Sequence, residues 1–189
     1  MAVARSGLLL TAMMLTGSAL AAEPMHFDTA HSRFGFEIRT RLGQRMEGVF
    51  PRFEGWITEL PDGRHQVRLR MFTQYVEIPD KQRYTSWMRG GDFFDAARYP
   101  VVEFDSDPYS PELARYGGSV AGNLTIRGVS RRETMYLAKP ECDNPGYDCD
   151  LVSRGNVSRS QYGMDAWQMA LSDRVIFVLR TRLKSAPKP

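Results

Sequence analysis

The sequence has few of the residues that usually carry catalysis or bind metal ions. It contains two cysteines and three histidines in 189 residues, and the histidines, at positions 26, 31 and 65, are not spaced to share a metal ion. It has no phosphate loop, no dinucleotide-binding fingerprint and no nucleophile elbow. We therefore expect no catalytic residues, no metal site and no bound cofactor.

The sequence also lacks a strong excess of charge of either sign. It has 25 Lys and Arg against 22 Asp and Glu, a formal net charge of +3, and its arginines are spread along the chain rather than clustered. A balance this even is typical of a solvated surface and does not favour a nucleic-acid partner.

Long apolar runs are missing except at the N terminus. There, Arg5 precedes an apolar stretch from Leu8 to Leu20, and Ala19-Leu20-Ala21 is typical of a cleavage site. The stretch is shorter than the ~20 residues that a membrane span needs. We therefore expect residues 1–21 to be a cleaved signal peptide, and residues 22–189 to form one domain in the periplasm without stable membrane insertion.

The two cysteines, Cys142 and Cys149, lie in one polar loop around the turn sequence Asn144-Pro145-Gly146. An exported protein folds in an oxidising compartment, which favours a disulfide bond. A metal site or redox pair is the alternative, but the spacing fits neither a CxxC motif nor a zinc knuckle. We predict a structural disulfide that is dispensable for ligand binding.

What the sequence does contain is a series of short alternating segments. The clearest runs from Val67 to Tyr75, and a similar one ends the domain, where residues 175, 177, 179, 181 and 183 share one face. About eight such strands with turns between them predict an antiparallel sheet, either closed as a barrel or split as a sandwich. Bends at glycine in long strands favour the barrel.

One segment, about 80–97, is predicted to be helical, with a break near Gly90-Gly91. Asp92 is a candidate N-cap, Phe93 and Phe94 form an apolar face, and Pro100 ends the helix before a strand. We expect this helix to cover or line one end of the barrel with Trp87 nearby. Its two phenylalanines either plug the core or line the end of a ligand cavity.

Aromatic residues are the most abundant candidates for a binding site. A barrel of about eight strands can hold one small ligand in its interior, although a fully packed core is the alternative. The candidate ligand-binding residues are Phe34, Phe36, Phe53, Met71, Tyr75, Trp87, Phe93, Phe94, Phe104, Leu124, Ile126 and Phe177. Thr73 and Thr181 are polar exceptions on the inward faces, as expected for a cavity wall that is not fully packed.

Four segments together resemble the YceI-like family. They are Ala30–Phe36, the stretch Asp92–Phe104, Gly122–Val129, and Ser158–Gly163 followed by Leu171–Val175. The resemblance implies an all-β, lipocalin-like antiparallel barrel, exported to the periplasm. It also implies an elongated cavity for polyisoprenoid or other long apolar molecules, and no agreed catalytic residues.

Three functions are compatible with these observations. The first is a non-catalytic carrier of a long isoprenoid, an isoprenoid quinone or a fatty-acid-like lipid. The sequence is compatible with either a monomer or a homodimer of such a carrier. The second is an enzyme acting on such a lipid, with His31 as its acid–base residue. The third is a soluble partner of a membrane redox protein. We favour the first.

Overall fold

The protein is described by a computed structural model covering residues 23–184. The expected signal peptide therefore lies outside the described residues. Ten strands form the domain: β1 Met25–His26, β2 Arg33–Thr40, β3 Arg45–Val49, β4 Phe53–Glu59, β5 His65–Phe72, β6 Val101–Ser106, β7 Gly118–Ile126, β8 Val129–Leu137, β9 Leu151–Ser158 and β10 Leu171–Thr181. Two short helices accompany them, α1 Gln82–Arg89 and α2 Leu113–Tyr116.

All ten strands belong to one antiparallel sheet in the order β1-β4-β5-β6-β7-β8-β9-β10-β2-β3. The all-β antiparallel fold predicted from alternation is confirmed, with ten strands rather than about eight. The additional strands are short, since β1 has two residues and β3 has five. The sequence predicts a short strand at Met25–Asp28 and one bent strand over Met46–Thr58, and the structure divides the latter into β3 and β4.

The sheet curls until its two edges approach each other. Phe27, just after β1, bridges Leu183, just after β10, and the amide of Asp28 donates to the carbonyl of Arg182 (2.8 Å). At the other edge, Val49 of β3 bridges Glu77. The result is an incomplete barrel whose apolar faces point inward, as the buried side chains of Phe34, Phe36 and Ile38 on β2 illustrate.

Because the strands alternate in direction, their connections lie at two opposite ends. The α1 end carries the β2–β3 turn, α1, the β7–β8 turn and the β9–β10 connection, and the disulfide end carries the β4–β5, β6–β7 and β8–β9 connections. Along β2, Phe34 is therefore nearer the disulfide end, and Ile38 is nearer the α1 end.

The predicted break near Gly90-Gly91 is confirmed, but only the part of the segment before it is helical. Helix α1 ends at Arg89, and Phe93 and Phe94 lie in a series of turns rather than in a second helix. Asp95 adopts a positive φ of 47°, and its amide and that of Phe93 both donate to the carbonyl of Gly90. This left-handed residue interrupts any continued helix, so the predicted N-cap role of Asp92 is wrong.

The cysteine loop closes the disulfide end. Cys142 and Cys149 are joined as predicted. The amide of Leu183 donates to the carbonyl of Gly146 (2.8 Å), and the guanidinium of Arg182 donates to Asp150 (2.6 Å). The loop is therefore held against the chain that follows β10.

The helices of the described residues are too short to cross a membrane. Within residues 23–184, no helix is both long enough and apolar enough to cross a bilayer.

Candidate interior lipid site

The larger interior cavity lies toward the disulfide end and has a volume of about 90 Å³. Every strand from β4 to β10 contributes to its wall, together with β2. Its lining residues are Phe27, Phe34, Ile57, Val67, Leu69, Phe104, Tyr109, Val120, Met135, Leu137, Leu151, Ser153, Leu179 and Thr181. The wall is almost entirely apolar, which suits a hydrocarbon chain and not a polar metabolite.

A second, smaller cavity of about 20 Å³ lies toward the α1 end. Phe93 and Phe94 cover it, and Met88 of α1 reaches it from the same side. The remaining lining residues are Phe36, Ile38, Ile126, Val157, Arg159, Met164, Val175 and Phe177. The expectation that the segment after α1 lies over one end of the barrel therefore agrees with the structure.

A cluster of four phenylalanines borders the smaller cavity, which three of its rings line. Its rings belong to Phe36, Phe50, Phe94 and Phe177, with centroid distances between 5.6 and 6.5 Å for the contacting pairs. Gly48 makes room for this cluster, because a Cβ there would lie 2.2 Å from the Phe36 ring. We call these four residues the phenylalanine cluster.

The α1 end also has an outer pocket of about 170 Å³. Met88 and Phe93 line both this pocket and the smaller cavity, so the two are separated by little more than these side chains. At its rim Trp87 stacks on Trp167 with ring centroids 5.2 Å apart, and the Trp167 indole donates to Asp92 (3.2 Å). The outer pocket therefore lies next to the smaller cavity at the α1 end.

Most of the predicted binding residues do lie in the interior. Phe34 and Phe104 line the larger cavity, while Phe36, Phe93, Phe94, Ile126 and Phe177 line the smaller one. Phe53, Met71 and Leu124 are buried in the surrounding core. Trp87 lies at the rim of the outer pocket.

Tyr75 does not join the other candidates. Strand β5 ends at Phe72, and a 3₁₀ turn over Thr73–Tyr75 directs Tyr75 outward, where its hydroxyl accepts from Arg52 (3.1 Å). Thr73 faces inward as the alternation predicts, where its hydroxyl donates to the carbonyl of Tyr99 (2.7 Å), but the 3₁₀ turn that begins there ends the alternation before Tyr75. The prediction of Tyr75 as an interior residue is therefore wrong.

Several interior residues were not singled out from the sequence. Phe50 is fully buried in the phenylalanine cluster, and Phe27 lines the larger cavity. Both stand outside an alternating run, since Phe50 precedes Pro51 and Phe27 follows a two-residue strand. The signal that could have found Phe27 is its two-residue spacing from Met25.

Two of the polar side chains that line the interior have shifted pKa values. Tyr109 lines the larger cavity, and burial raises its pKa to about 12. Arg159 borders the smaller cavity and is only 1% exposed, and burial lowers its pKa although the carboxylates of Asp173 and Asp165 oppose this. Nothing in the sequence marks Arg159 as buried.

The structure offers little support for catalysis by His31. Its ring is exposed near the start of β2, where Nδ1 hydrogen-bonds the Asp28 carboxylate (2.7 Å) and lowers the pKa of that carboxyl. It lines neither interior cavity. Across residues 23–184, no group of three or more His, Cys, Asp or Glu side chains is arranged to hold a metal ion.

Comparison of the fold finds related structures at low sequence identity. BcnA of Burkholderia cenocepacia superposes with a TM-score of 0.68 at 21% identity, covering 84% of this chain and 99% of BcnA. A polyisoprenoid-binding domain from Saccharophagus degradans, implicated in plant cell wall breakdown, gives a TM-score of 0.60 at 15% identity, covering 84% and 98%. These likenesses show the fold.

Sequence comparison gives the family. UPF0312 proteins of Yersinia pestis (strain Pestoides F) and Yersinia enterocolitica (serotype O:8, biotype 1B) are 27% and 26% identical over 165 residues, 84% of each chain in both comparisons. The profile of the YceI-like domain matches residues 25–183, nearly the whole described part of the chain. This protein therefore belongs to the YceI-like domain family.

Proposed function

We propose that this protein is a periplasmic, non-catalytic carrier that holds a long apolar lipid inside its barrel. The observation that carries this proposal is the presence of two apolar cavities along β2, where Phe34 lines the larger one and Phe36 lines the smaller one. Such an arrangement suits an extended hydrocarbon such as a polyisoprenoid, an isoprenoid quinone or a fatty-acid-like lipid. The likeness to a polyisoprenoid-binding domain supports the same ligand class.

The size of the cavities implies that the interior opens when lipid binds. The larger one holds about 90 Å³, whereas pockets for drug-sized ligands usually hold ~300–1,000 Å³. A long chain therefore requires the rings of the phenylalanine cluster to move apart, so the full site is present only with its occupant.

The energetics set a minimum chain length. Each buried methylene contributes ~0.8 kcal/mol, association costs ~4–15 kcal/mol, and micromolar affinity corresponds to ~8 kcal/mol of net binding free energy. About 15–30 buried CH₂ equivalents are therefore needed, roughly three to six isoprene units. We expect shorter chains to bind weakly.

The proposed compartment follows from two features. Residues 1–21 have the pattern of a cleaved signal peptide, and the Cys142–Cys149 disulfide is of the kind that persists in oxidising compartments. Cell fractionation with mass determination of the mature N terminus tests this. A protein recovered from the cytoplasm with Met1 intact would refute it.

The binding proposal is tested by extraction and by titration. Organic extraction and mass spectrometry identify what the purified protein holds, and delipidated protein is then titrated with isoprenoid alcohols of increasing length. We expect affinity to rise with each isoprene unit until the interior is filled. Protein that carries no lipid, and whose melting temperature no alcohol in the series raises, would refute the proposal.

A pair of matched variants places the site within the barrel. Ser153 lines the larger cavity, whereas Val152 is on the opposite face of β9. Ser153→Phe should fill the cavity and weaken binding by about 10-fold or more, since overpacking displaces the chain. Val152→Phe adds a similar ring outside and should leave affinity within about twofold.

A further inference from the structure

Arg159 is a buried cation whose hydrogen bonding is incomplete. It lies in the 3₁₀ turn Arg159–Tyr162 just after β9. Its Nε donates to the carbonyl of Ser172 (3.1 Å), and its Nη1 donates to the carbonyls of Met164 and Ala166. Its Nη2 is buried without an acceptor among residues 23–184.

The positive charge of Arg159 is also uncompensated at short range. Among the described residues, no carboxylate lies within 4 Å of its guanidinium, and Asp165 and Asp173 act on it only from farther away. Asp173 accepts from the amide of Ser160 (2.9 Å), and Asp165 accepts from the side chain of Gln168 (3.4 Å). A buried charge in this state is costly unless an anion pairs with it.

The position of Arg159 gives the barrel interior a polarity along its axis. Arg159 is the one charged residue among those that line the smaller cavity, at the α1 end, and the larger cavity has no charged residue in its wall. The wall of the smaller cavity exposes no polar surface, so the guanidinium lies behind it. A lipid lying along the barrel would therefore have a buried cation close behind the wall at one end and hydrocarbon alone at the other.

We propose that Arg159 binds the anionic head group of the lipid, a carboxylate or a phosphate, while the chain extends toward the larger cavity. This inference rests on the proposed carrier function and narrows it. A guanidinium suits both anions because its N–H groups match two oxygens at once. A fatty acid or a prenyl phosphate is then preferred over a quinone or an alcohol with the same chain.

Three probes with one chain test the head group directly. They are geranylgeranyl phosphate, geranylgeranoic acid and geranylgeraniol, titrated into delipidated full-length protein. The wild type should bind the phosphate or the acid at least about 10-fold more tightly than the alcohol, since charge-assisted hydrogen bonds are stronger than hydrogen bonds between neutral groups. The comparison of phosphate with acid identifies which anion is preferred.

Variants then assign the preference to Arg159. Arg159→Met should abolish the anion preference while affinity for the alcohol stays within about threefold, and Arg159→Lys should retain part of it. Arg131→Met is the matched control, because Arg131 is exposed and donates to the carbonyl of Gln161 in the same turn (2.8 Å). It should retain the full preference.

The outcomes separate this inference from the proposed function. Failure of all three lipids to bind the wild type refutes the carrier, whereas equal binding of all three overturns only the role of Arg159. A preference that survives in folded Arg159→Met also overturns it, and Arg159 then only holds the β9–β10 connection. Should the variants fail to fold, a crystal structure of the wild-type complex decides, and a phosphate found at the disulfide end refutes the inference.

Discussion

Removing the Phe94 ring should show how far this side chain stabilises the barrel and how far it obstructs a bound lipid. Phe94 is buried, and its ring contacts Phe36 at 5.7 Å and Phe50 at 5.6 Å. It also lines the smaller cavity, so it stands where a bound chain would pass. Phe94→Ala removes both the packing and the obstruction.

The expected cost in stability is large. Truncation of a buried Phe to Ala typically lowers the free energy of unfolding by ~3–5 kcal/mol. The existing cavity beside Phe94 has only about 20 Å³, so little of the new void was already present and we expect the full range. For a domain of this size, the melting temperature should fall by roughly 6–20 °C.

Added lipid should reverse part of this loss. Under the proposed function, lipid binding to the wild type requires the phenylalanine cluster to move, so the variant should bind at least as tightly. A saturating prenyl lipid should then raise the melting temperature of the variant by more than it raises that of the wild type. Urea or thermal unfolding with and without geranylgeranyl phosphate measures both effects. Phe72→Ala is the matched control, since Phe72 lies on the outer face of β5 beside Arg70.

Two results would refute this reasoning. If Phe94→Ala costs no more than Phe72→Ala, the Phe94 ring is not part of a packed interior. If lipid stabilises Phe94→Ala less than the wild type, the ring is a binding contact and not an obstruction.

The remaining predictions concern the disulfide, pH and fluorescence. The double variant Cys142→Ser, Cys149→Ser should lose ~2 kcal/mol of stability by denaturant titration and keep its lipid affinity; loss of binding in a folded variant would make the loop functional. Burial raises the pKa of Tyr109 to about 12, so the stability that its neutral phenol contributes is present below pH ~10 and is lost as the pH rises through 12. Over this pH range the free energy of unfolding of the wild type should fall by ~2–3 kcal/mol more than that of Tyr109→Phe. Equal losses in the two proteins would contradict this. Lipid entering at the α1 end should change tryptophan fluorescence in Trp56→Phe but much less in the double variant Trp87→Phe, Trp167→Phe, and an undiminished response in the double variant would place the entrance elsewhere.

The inward faces of the long strands could be predicted from the sequence. In β10, Val175, Phe177, Leu179 and Thr181 are all buried, as their spacing predicted. The reason is simple: a two-residue period is a local property of extended backbone, and one apolar face fixes it.

The ends of the strands could not be predicted in the same way. Alternation continued from Val67 to Tyr75 in the sequence, but the strand ends at Phe72 because Thr73 is held by the distant backbone of Tyr99 and Pro100. That contact joins residues more than twenty positions apart. The alternation of residues along one strand cannot predict a contact with so distant a part of the chain.

Arg159 is the clearest limit of sequence reasoning here. An arginine after a strand is ordinarily exposed, but this one is buried by the β9–β10 connection, and the acceptor of its Nε lies at a bulge. The register of β10 against β2 shifts between Leu171 and Val175, and Ser172 lies within that shift. The acceptor therefore depends on an irregularity of a later strand, which no residue near position 159 encodes.

The pairing of β1 with the chain after β10 has a practical consequence for the construction of variants. The amide of Lys184 donates to the carbonyl of His26 (2.9 Å), so the two ends of the described domain lie side by side at the disulfide end. A short linker could join them, and new termini could be opened at the exposed Pro61–Gly63 turn between β4 and β5, giving a circular permutant with the same sheet. Such a permutant would carry its termini on a different hairpin, so that a surface attachment or fluorescent fusion could be moved around the barrel while the α1 end stays unobstructed.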